Sequence, residues 1–337
     1  MYTRSILFYV KRCALSFGER YLPAFPLIVA LTYRCNLSCP YCNTKLMPER
    51  FPDEMGFSQF SSLVSWMRKS RIRKIMYTGG EPTRHTRFGE ILGYASKNGF
   101  KQYLVSNASY PDSVHEYIAK YIKVLFVNCS TEYVRRERNL AVKRLNDLRK
   151  RGVLLVLRVN IAEGISDEED LIDVAAQLNA RIRVGIVNPS FGIPQPLQID
   201  RERALVLRLR DFGRKCLSRK VYAYLAKPIP RCVVDEVQWR ELRRLLLVKS
   251  RCFVGYRGNY VTRMVVNPDL SSFGCFNNAK TVPNVTLFDM RTLNKCHEEY
   301  YRQAGRSCLL DKENNCSFFR RGVCMGGCIA YWNSSLV

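Results

Sequence analysis

Leu31-Thr-Tyr-Arg-Cys35-Asn-Leu-Ser-Cys39-Pro-Tyr-Cys42 places three closely spaced cysteines directly after an apolar run that extends from Phe25 to Thr32. The run is typical of a buried β-strand. Thiolates at the spacing CxxxCxxC bind metal, either as part of a structural zinc site or as ligands of a [4Fe–4S] cluster whose fourth iron stays open. A closed zinc site needs a fourth ligand, and no other Cys or His lies near Cys42 in the sequence, so the pattern favours the cluster.

Three later β-type runs also end in sequences that suit ligand contact. Gly79-Gly80-Glu81-Pro82 follows the second run, Ser106-Asn107 ends the third, and Cys129-Ser130 follows the fourth. Glycines at the carboxyl end of a strand let the backbone approach a ligand closely, although the same sequence suits an ordinary strand-to-helix turn. Asn107 is equally well explained as a turn residue.

In this order, the strand, the cysteine loop and the glycine pair resemble the radical S-adenosylmethionine (SAM) superfamily. The resemblance implies that Cys35, Cys39 and Cys42 hold a [4Fe–4S] cluster whose open iron binds the amino and carboxylate groups of SAM. It also implies that an electron from the reduced cluster cleaves SAM to a 5′-deoxyadenosyl radical, so the cofactor supplies the difficult chemistry. An electron donor such as flavodoxin or ferredoxin follows from the same resemblance.

The resemblance further implies which residues contact SAM. Tyr41 would lie against the adenine, although a packed loop aromatic explains it as well, and Glu81 would hold the SAM amino group. Arg138 would pair with the SAM carboxylate, and the Ser-x-Asp pattern of relatives is missing at Ser130. The complete set implied is Tyr41, Gly79, Gly80, Glu81, Pro82, Ser106, Asn107, Ser130 and Arg138.

Downstream of the cysteine loop, helix-type and strand-type patterns alternate. Helices are predicted at 57–69, 86–97 and 111–122, and strands at 73–78, 102–106, 124–128, 153–160 and 182–187. This succession predicts the α/β class, with a parallel sheet and helices outside it. Counting the first strand, six strands form a partial (β/α)6 TIM-like barrel over residues 27–190, with chemistry at the carboxyl ends of the strands.

Three further segments surround this barrel. Residues 1–26 are predicted to form a basic helical extension that caps the barrel or contacts a membrane surface, since their apolar run is too short to span a bilayer. Prolines near residue 190 begin a helical linker, 191–250. Residues 251–337 have few periodic runs and many cysteines, and they are predicted to be a small metal-stabilised domain.

The C-terminal cysteines resemble those of SPASM/twitch domains, which hold one or two auxiliary iron–sulfur clusters. The ligands implied are Cys252, Cys275, Cys316, Cys324 and Cys328. The pattern departs from relatives, because Leu270 replaces a hairpin glycine and Glu313 stands where a first cysteine is expected, and a zinc site remains the alternative. Cys232 follows Pro-Ile-Pro and is a candidate cluster ligand or hydrogen-atom donor, or simply a linker residue.

Charge and cysteine content restrict the partners. The chain of 337 residues carries 54 Lys and Arg against 29 Asp and Glu, a net charge of +25, which predicts an acidic peptide or another anionic substrate. Nucleic acid is less favoured, because no basic motif is interleaved with aromatics. Fourteen cysteines without a convincing signal peptide or transmembrane segment indicate the reducing cytoplasm.

These observations predict a radical SAM enzyme, an oxidoreductase that abstracts hydrogen from a substrate. Many SPASM-type members modify peptides, so a ribosomally made peptide is the first substrate expected. RNA or small-metabolite modification is the alternative within enzymes, and a non-catalytic zinc or iron–sulfur interaction module is the alternative outside them.

Overall fold

The computed structural model describes residues 26–39, 42, 44, 47–129, 137–161, 168–186, 199–248, 264–274, 281–303, 316–321 and 323–324. The predicted N-terminal extension therefore lies outside the described residues, except for residue 26. The same holds for five predicted site residues, namely Tyr41, Ser130, Cys252, Cys275 and Cys328.

Within the described residues, nine strands form one sheet in the order β7-β6-β5-β4-β3-β2-β1-β8-β9. All neighbouring pairs are parallel except β8 with β9. The strands are β1 (Leu27–Thr32), β2 (Lys74–Gly79), β3 (Lys101–Ser106), β4 (Ile122–Asn128), β5 (Leu154–Ile161), β6 (Arg181–Ile186), β7 (Ala223–Leu225), β8 (Val265–Val266) and β9 (Ser272–Phe273).

Helices connect most of these strands. They are α1 (Phe57–Lys69), α2 (Phe88–Lys97), α3 (Asp112–Tyr121), α4 (Arg138–Lys150), α5 (Glu168–Gln177), α6 (Ile199–Ser218), α7 (Glu236–Leu246), α8 (Met290–Gln303) and the single turn α9 (Ser317–Arg320). In α1, Phe60, Leu63, Val64 and Met67 are buried, and their i, i+3, i+4, i+7 spacing places them on one helix face.

The main core lies between these helices and one face of the sheet. Burial alternates along the strands, as in β6, where Ile182, Val184 and Ile186 are buried in the core while Arg183 is only partly covered. Side chains alternate between the two faces of a strand, so the other set faces away from the helix layer. A second, smaller buried cluster lies around β1, β8 and β9, and includes Ala30, Tyr33 and Val265.

The predicted α/β class and partial barrel are confirmed, since β1 to β6 are consecutive and parallel. The sheet also continues beyond them. β7 lies in the segment predicted as a helical linker and pairs with β6, and β8 lies in the predicted small domain and pairs with β1. Strands of two or three residues are too short for their pattern to be recognised. The domain boundaries themselves stay a prediction.

Among the described residues, no helix is both long and apolar enough to cross a membrane.

Candidate active site

The glycine pair after β2 packs directly against the backbone that leads into the cysteine loop. The Gly80 N–H donates to the Thr32 carbonyl oxygen at 2.8 Å, and the Glu81 N–H donates to the Arg34 carbonyl oxygen at 2.9 Å. A Cβ atom at Gly79 would lie 2.0 Å from the Thr32 oxygen, and one at Gly80 would lie 2.4 Å from the Arg34 oxygen. Gly79 also has a φ of +129°, which side chains disfavour. The close approach in this structure is therefore to the cysteine loop.

Glu81 is a buried carboxylate whose two oxygens both accept hydrogen bonds. Oε1 accepts from Ser106 Oγ at 2.9 Å and from the Thr83 hydroxyl and backbone N–H at 2.7 and 3.3 Å. Oε2 accepts from the Asn107 N–H at 2.7 Å. Burial raises the pKa of Glu81, while the hydrogen bonds from Asn107, Thr83 and Ser106 oppose that rise. The carboxylate thus joins the carboxyl ends of β2 and β3. Its predicted contact with the SAM amino group stays a prediction.

Asn107 extends this connection to the cysteine loop. Its Nδ2 donates to Asn36 Oδ1 at 3.0 Å, and Asn36 Nδ2 donates to Ser109 Oγ at 3.0 Å. Because Asn36 directly follows Cys35, the first metal-ligating candidate is tied to the end of β3. The predicted residues Glu81, Ser106 and Asn107 are therefore brought together beside Cys35.

Two more contacts hold the start of the loop. The Arg34 guanidinium pairs with the Glu54 carboxylate, which also accepts from the Thr86 N–H at 3.1 Å. On the other side, the Tyr33 hydroxyl donates to Asn267 Oδ1 at 2.6 Å, which attaches the turn between β8 and β9 to the loop. Asn36, Glu54 and Asn267 were not among the predicted site residues, since each is distant in sequence from its partner and polar loop residues carry no periodic signal.

All three cysteines belong to this anchored loop. Cys35 is exposed, Cys39 and Cys42 are half-buried, and the Cys42 N–H donates to the Cys39 carbonyl oxygen at 3.1 Å. Burial raises the pKa of the Cys35 thiol, and the nearby groups of Glu81, Cys42 and Cys39 raise it further. Among the described residues, no three His, Cys, Asp or Glu side chains converge on one metal-ion position.

A hydroxyl group lies beside the third cysteine. Thr44 Oγ1 is 3.2 Å from Cys42 Sγ and 3.4 Å from the Gly79 carbonyl oxygen. The cysteine loop and the glycine pair are therefore connected not only at the start of the loop but also at Thr44, which follows the third cysteine.

Arg138, the residue predicted to pair with the SAM carboxylate, contacts an acidic residue in this structure. Its guanidinium lies at the start of α4 and donates to Asp170 Oδ2 and to the Asp170 carbonyl oxygen, both at 2.8 Å. Its charge is therefore already paired between α4 and α5. Its predicted pairing with the SAM carboxylate stays a prediction.

Among the C-terminal candidates, Cys324 lies beside the residue that precedes Cys232. The buried Cys324 sulfur accepts from the Arg231 N–H at 3.3 Å, and Cys232 is exposed next to it. Arg231 itself lies 5.0 Å from the rings of both Trp239 and Phe318. The structure therefore brings the predicted linker and the C-terminal cysteine segment into contact. The cluster ligands predicted there stay predictions.

Comparison with known families identifies the chain. Residues 29–197, half of the chain, match the Radical SAM superfamily. The chain belongs to this superfamily. Membership implies a [4Fe–4S] cluster and SAM, and the residues fit, because Cys35, Cys39 and Cys42 lie in one anchored loop at the carboxyl end of a parallel sheet.

Two curated proteins illustrate the range of this radical SAM chain's relatives. It is 28% identical over 93 residues to PqqA peptide cyclase of Rhodopseudomonas palustris, a match that covers 28% of the chain and 25% of that protein. It is 23% identical over 147 residues to Fe-coproporphyrin III synthase of Methanosarcina barkeri, covering 40% of the chain and 37% of that protein. The chain thus matches between a quarter and two fifths of these relatives' lengths.

The fold also resembles that of a solved structure with S-adenosylmethionine bound. Streptococcus suis SuiB bound to S-adenosylmethionine superposes with a TM-score of 0.63 at 17% identity, covering 91% of this chain and 74% of SuiB. SuiB bound to its precursor peptide SuiA gives a TM-score of 0.61 at 15% identity, covering 92% and 71%. At identities of 15–17%, the similarity to SuiB shows a shared fold alone.

Proposed function

We propose that the protein reductively cleaves SAM and uses the resulting 5′-deoxyadenosyl radical to abstract hydrogen from a peptide. The main support for this proposal is the position of the cysteine loop, which Gly80, Glu81 and Asn107 hold at the carboxyl end of a parallel sheet. When bound, the cluster supplies the electron that breaks SAM into methionine and the radical.

The chain's own residues position that chemistry. Backbone hydrogen bonds from the glycine turn and the Asn36–Asn107 bridge hold the loop that carries the three thiols. A loop that is held at its start by these contacts and at Thr44 by the Gly79 carbonyl oxygen needs less reordering to present its thiols. In this proposal Glu81 joins the ends of β2 and β3 beside the cysteine loop, and its carboxylate also holds the SAM amino group.

A peptide is the substrate class that the relatives and the charge favour together. PqqA peptide cyclase is named for a peptide substrate, and the fold neighbour SuiB is described with a bound precursor peptide. The net charge of +25 favours an acidic partner. A small anionic metabolite is the second candidate, favoured by the match to Fe-coproporphyrin III synthase and by the same charge.

The deciding experiment is chromatographic detection of 5′-deoxyadenosine after anaerobic reconstitution, dithionite reduction and addition of SAM. Wild-type protein should form it slowly alone and faster with its substrate. Cys35→Ala should form none, whereas Cys216→Ala, which removes a buried thiol of α6, should keep the activity if it folds.

Fully reconstituted protein that binds SAM but yields no 5′-deoxyadenosine would contradict the proposal and favour a non-catalytic cluster-binding role. Two kinds of candidate substrate are then compared, namely peptides encoded by neighbouring genes and small anionic metabolites. The kind that accelerates SAM cleavage is the substrate class. Acceleration by RNA that disappears at high salt would instead favour nucleic-acid modification.

A further inference from the structure

A threonine hydroxyl lies between the third cysteine of the loop and the glycine turn. Thr44 Oγ1 is 3.2 Å from Cys42 Sγ and 3.4 Å from the Gly79 carbonyl oxygen. Ordinary O–H···O hydrogen bonds measure about 2.5–3.0 Å between oxygens, so the distance to Gly79 is long. Because a sulfur atom is larger than an oxygen atom, 3.2 Å to sulfur is a full hydrogen-bond contact. The hydroxyl is therefore closer to an ideal hydrogen bond with the sulfur than with the carbonyl oxygen.

The surroundings hold Thr44 in this position. Thr44 is buried, and its carbonyl oxygen accepts from the Met47 N–H at 3.1 Å. Met47 itself belongs to the smaller buried cluster around β1, β8 and β9. Threonine is branched at Cβ, which restricts rotation about its χ1 bond. The hydroxyl is therefore presented to the sulfur by a packed turn to which water has little access.

Iron binding decides which atom donates in the contact between Thr44 and Cys42. A thiol can donate its S–H to the Thr44 oxygen, but a cluster ligand is a thiolate and carries no hydrogen. Once Cys42 binds iron, the Thr44 hydroxyl is thus the donor of this pair. Its hydrogen is directed mainly to the charged sulfur, because charge-assisted hydrogen bonds are stronger than those to a neutral carbonyl. Gly79 stays a second, weaker acceptor that keeps the hydroxyl in place.

A hydrogen bond to a ligand sulfur changes the reduction potential of an iron–sulfur cluster. Reduction adds one electron, and hence one negative charge, to the cluster. The donor stabilises the reduced form more than the oxidised form, and the difference is large at a buried site of low effective dielectric constant. The Leu37 N–H donates to the Cys35 sulfur in the same way, but it is a backbone group. Thr44 supplies a side-chain donor, which a substitution can remove.

We infer that the Thr44 hydroxyl donates a hydrogen bond to the Cys42 thiolate and raises the reduction potential of the [4Fe–4S] cluster. Thr44 is a positioning residue in this inference, because it acts on the cluster through Cys42. The electron comes from the reductant and passes to the cluster, and no protein bond forms or breaks. The inference rests on the cluster of the proposed SAM cleavage and holds for any substrate.

The first measurement is the midpoint potential of the cluster held by the cysteine loop, from a dithionite titration of reconstituted protein followed by EPR. The signal of this cluster is the one that changes when SAM is added to a parallel sample. Thr44→Val keeps the shape of the side chain and removes the hydroxyl. It should make the one-electron reduction about tenfold less favourable, a decrease of about 59 mV in potential. Thr44→Ser restores a hydroxyl and should recover most of the wild-type value.

Two outcomes of this titration overturn the inference. An unchanged potential in Thr44→Val would mean that the hydroxyl serves the Gly79 carbonyl oxygen alone. A Thr44→Val protein that folds, as checked by thermal unfolding, but holds no cluster in the loop would assign the hydroxyl to assembly. Partial occupancy leaves the test intact, because the midpoint potential is a property of the occupied sites.

Thr292→Val is the matched control. Thr292 is exposed at the start of α8, where its hydroxyl bonds to the Asp289 carboxylate. The variant makes the same chemical change outside the cysteine loop, so the potential should stay at the wild-type value. Equal decreases in Thr292→Val and Thr44→Val would make the effect independent of the contact with Cys42 and would overturn the inference.

The second measurement detects the hydrogen itself. In protein reconstituted in D2O, ENDOR spectroscopy of the reduced cluster measures the coupling of nearby exchangeable deuterons. Wild type and Thr44→Ser should show a coupled deuteron that is missing from Thr44→Val, and identical spectra in wild type and Thr44→Val overturn the inference. Formation of 5′-deoxyadenosine tests the proposed function separately, since the potential and the deuteron coupling are measured whether or not SAM is cleaved.

Discussion

Single residues determine how the cysteine loop is held. Gly79 and Gly80 leave room for the Thr32 and Arg34 carbonyl oxygens, which no side chain would permit. The glycine pair is recognisable in sequence as a turn, but which backbone it meets is not, because the partner lies more than forty residues earlier. Only the pairing of β1 with β2 brings the two segments together.

Gly80→Ala should therefore displace the loop. Its Cβ would lie 2.4 Å from a backbone oxygen that cannot rotate away, so we expect a loss of more than about 2 kcal/mol in the free energy of unfolding. The amount of cluster bound by the cysteine loop should fall as well. EPR spectra recorded before and after addition of SAM measure this amount, because SAM changes the spectrum of that cluster.

Gly93→Ala is the control for this change. Gly93 lies in α2, and its Cβ would meet the Tyr121 hydroxyl oxygen at 3.7 Å and Cζ at 4.0 Å, which are ordinary contacts. Alanine in a helix interior should be neutral or stabilising by about 0.5–1 kcal/mol. Unaltered cluster assembly in Gly80→Ala would show that the close approach is not required.

Glu81→Gln replaces one carboxylate oxygen with an amide that donates. At least one of the N–H donors of Thr83 and Asn107 then faces a poorer partner in a buried site. We expect unfolding free energy to fall by about 1.5–3 kcal/mol and SAM affinity to fall by about ten- to a hundredfold, with the cluster still formed. Chemical denaturation and calorimetric titration with SAM measure the two effects.

Glu90→Gln is the matched control, because Glu90 pairs with Arg87 at an exposed site on α2. Exposed pairs contribute little, so this variant should change stability by less than about 1 kcal/mol and leave SAM affinity unaltered. If Glu81→Gln destabilised the protein without weakening SAM binding, Glu81 would have a structural role only.

At the scale of elements, the turn between β8 and β9 joins the C-terminal region to the barrel. Asn267 links it to Tyr33, and Leu270 occupies the turn with a φ of +68°. The sequence pointed to this position, because a glycine of related hairpins is replaced there. Leu270 is nevertheless buried, and burying a leucine offsets the cost of about 1–2 kcal/mol for the left-handed conformation.

His297 couples α8 to β9 and makes that contact sensitive to pH. It is buried, its Nε2 lies 3.2 Å from Ser272 Oγ, and burial lowers its pKa from 6.5 to about 4. Below pH 6.5 the His297 imidazole of the unfolded chain is protonated, whereas that of the folded protein stays neutral down to about pH 4. Stability should therefore fall as the pH decreases through this window, by about 2 kcal/mol at pH 5.

Urea unfolding of wild type and His297→Gln at pH 7.5 and pH 5 tests this expectation. The variant should start less stable, because the buried contact is altered, but should lose about 2 kcal/mol less between the two pH values. The same pH dependence in both proteins would remove His297 as the cause.

At the scale of the whole molecule, the cysteines are predicted to hold iron in two regions. Anaerobically reconstituted protein should then bind more than about four irons per chain, the content of a single [4Fe–4S] cluster. Replacing Cys35, Cys39 and Cys42 by Ala should remove the SAM-responsive cluster and leave the auxiliary iron, as measured by iron analysis and EPR. Complete loss of iron in that variant, or uptake of zinc alone by wild type, would contradict two separate sites.

The family, the α/β class, the order of the first six strands and the cysteine loop could all be predicted from local sequence, because strand periodicity and motif spacing are short-range properties. The joining of Glu81 to Ser106 and Asn107, and of Asn36 to Asn107, could not, since each contact exists only when separate strands end at the same edge of the sheet. The same reason applies to Thr44. In the sequence it is a polar residue two positions after Cys42, and only the packing of the glycine turn against the loop places its hydroxyl between a cysteine sulfur and a carbonyl oxygen.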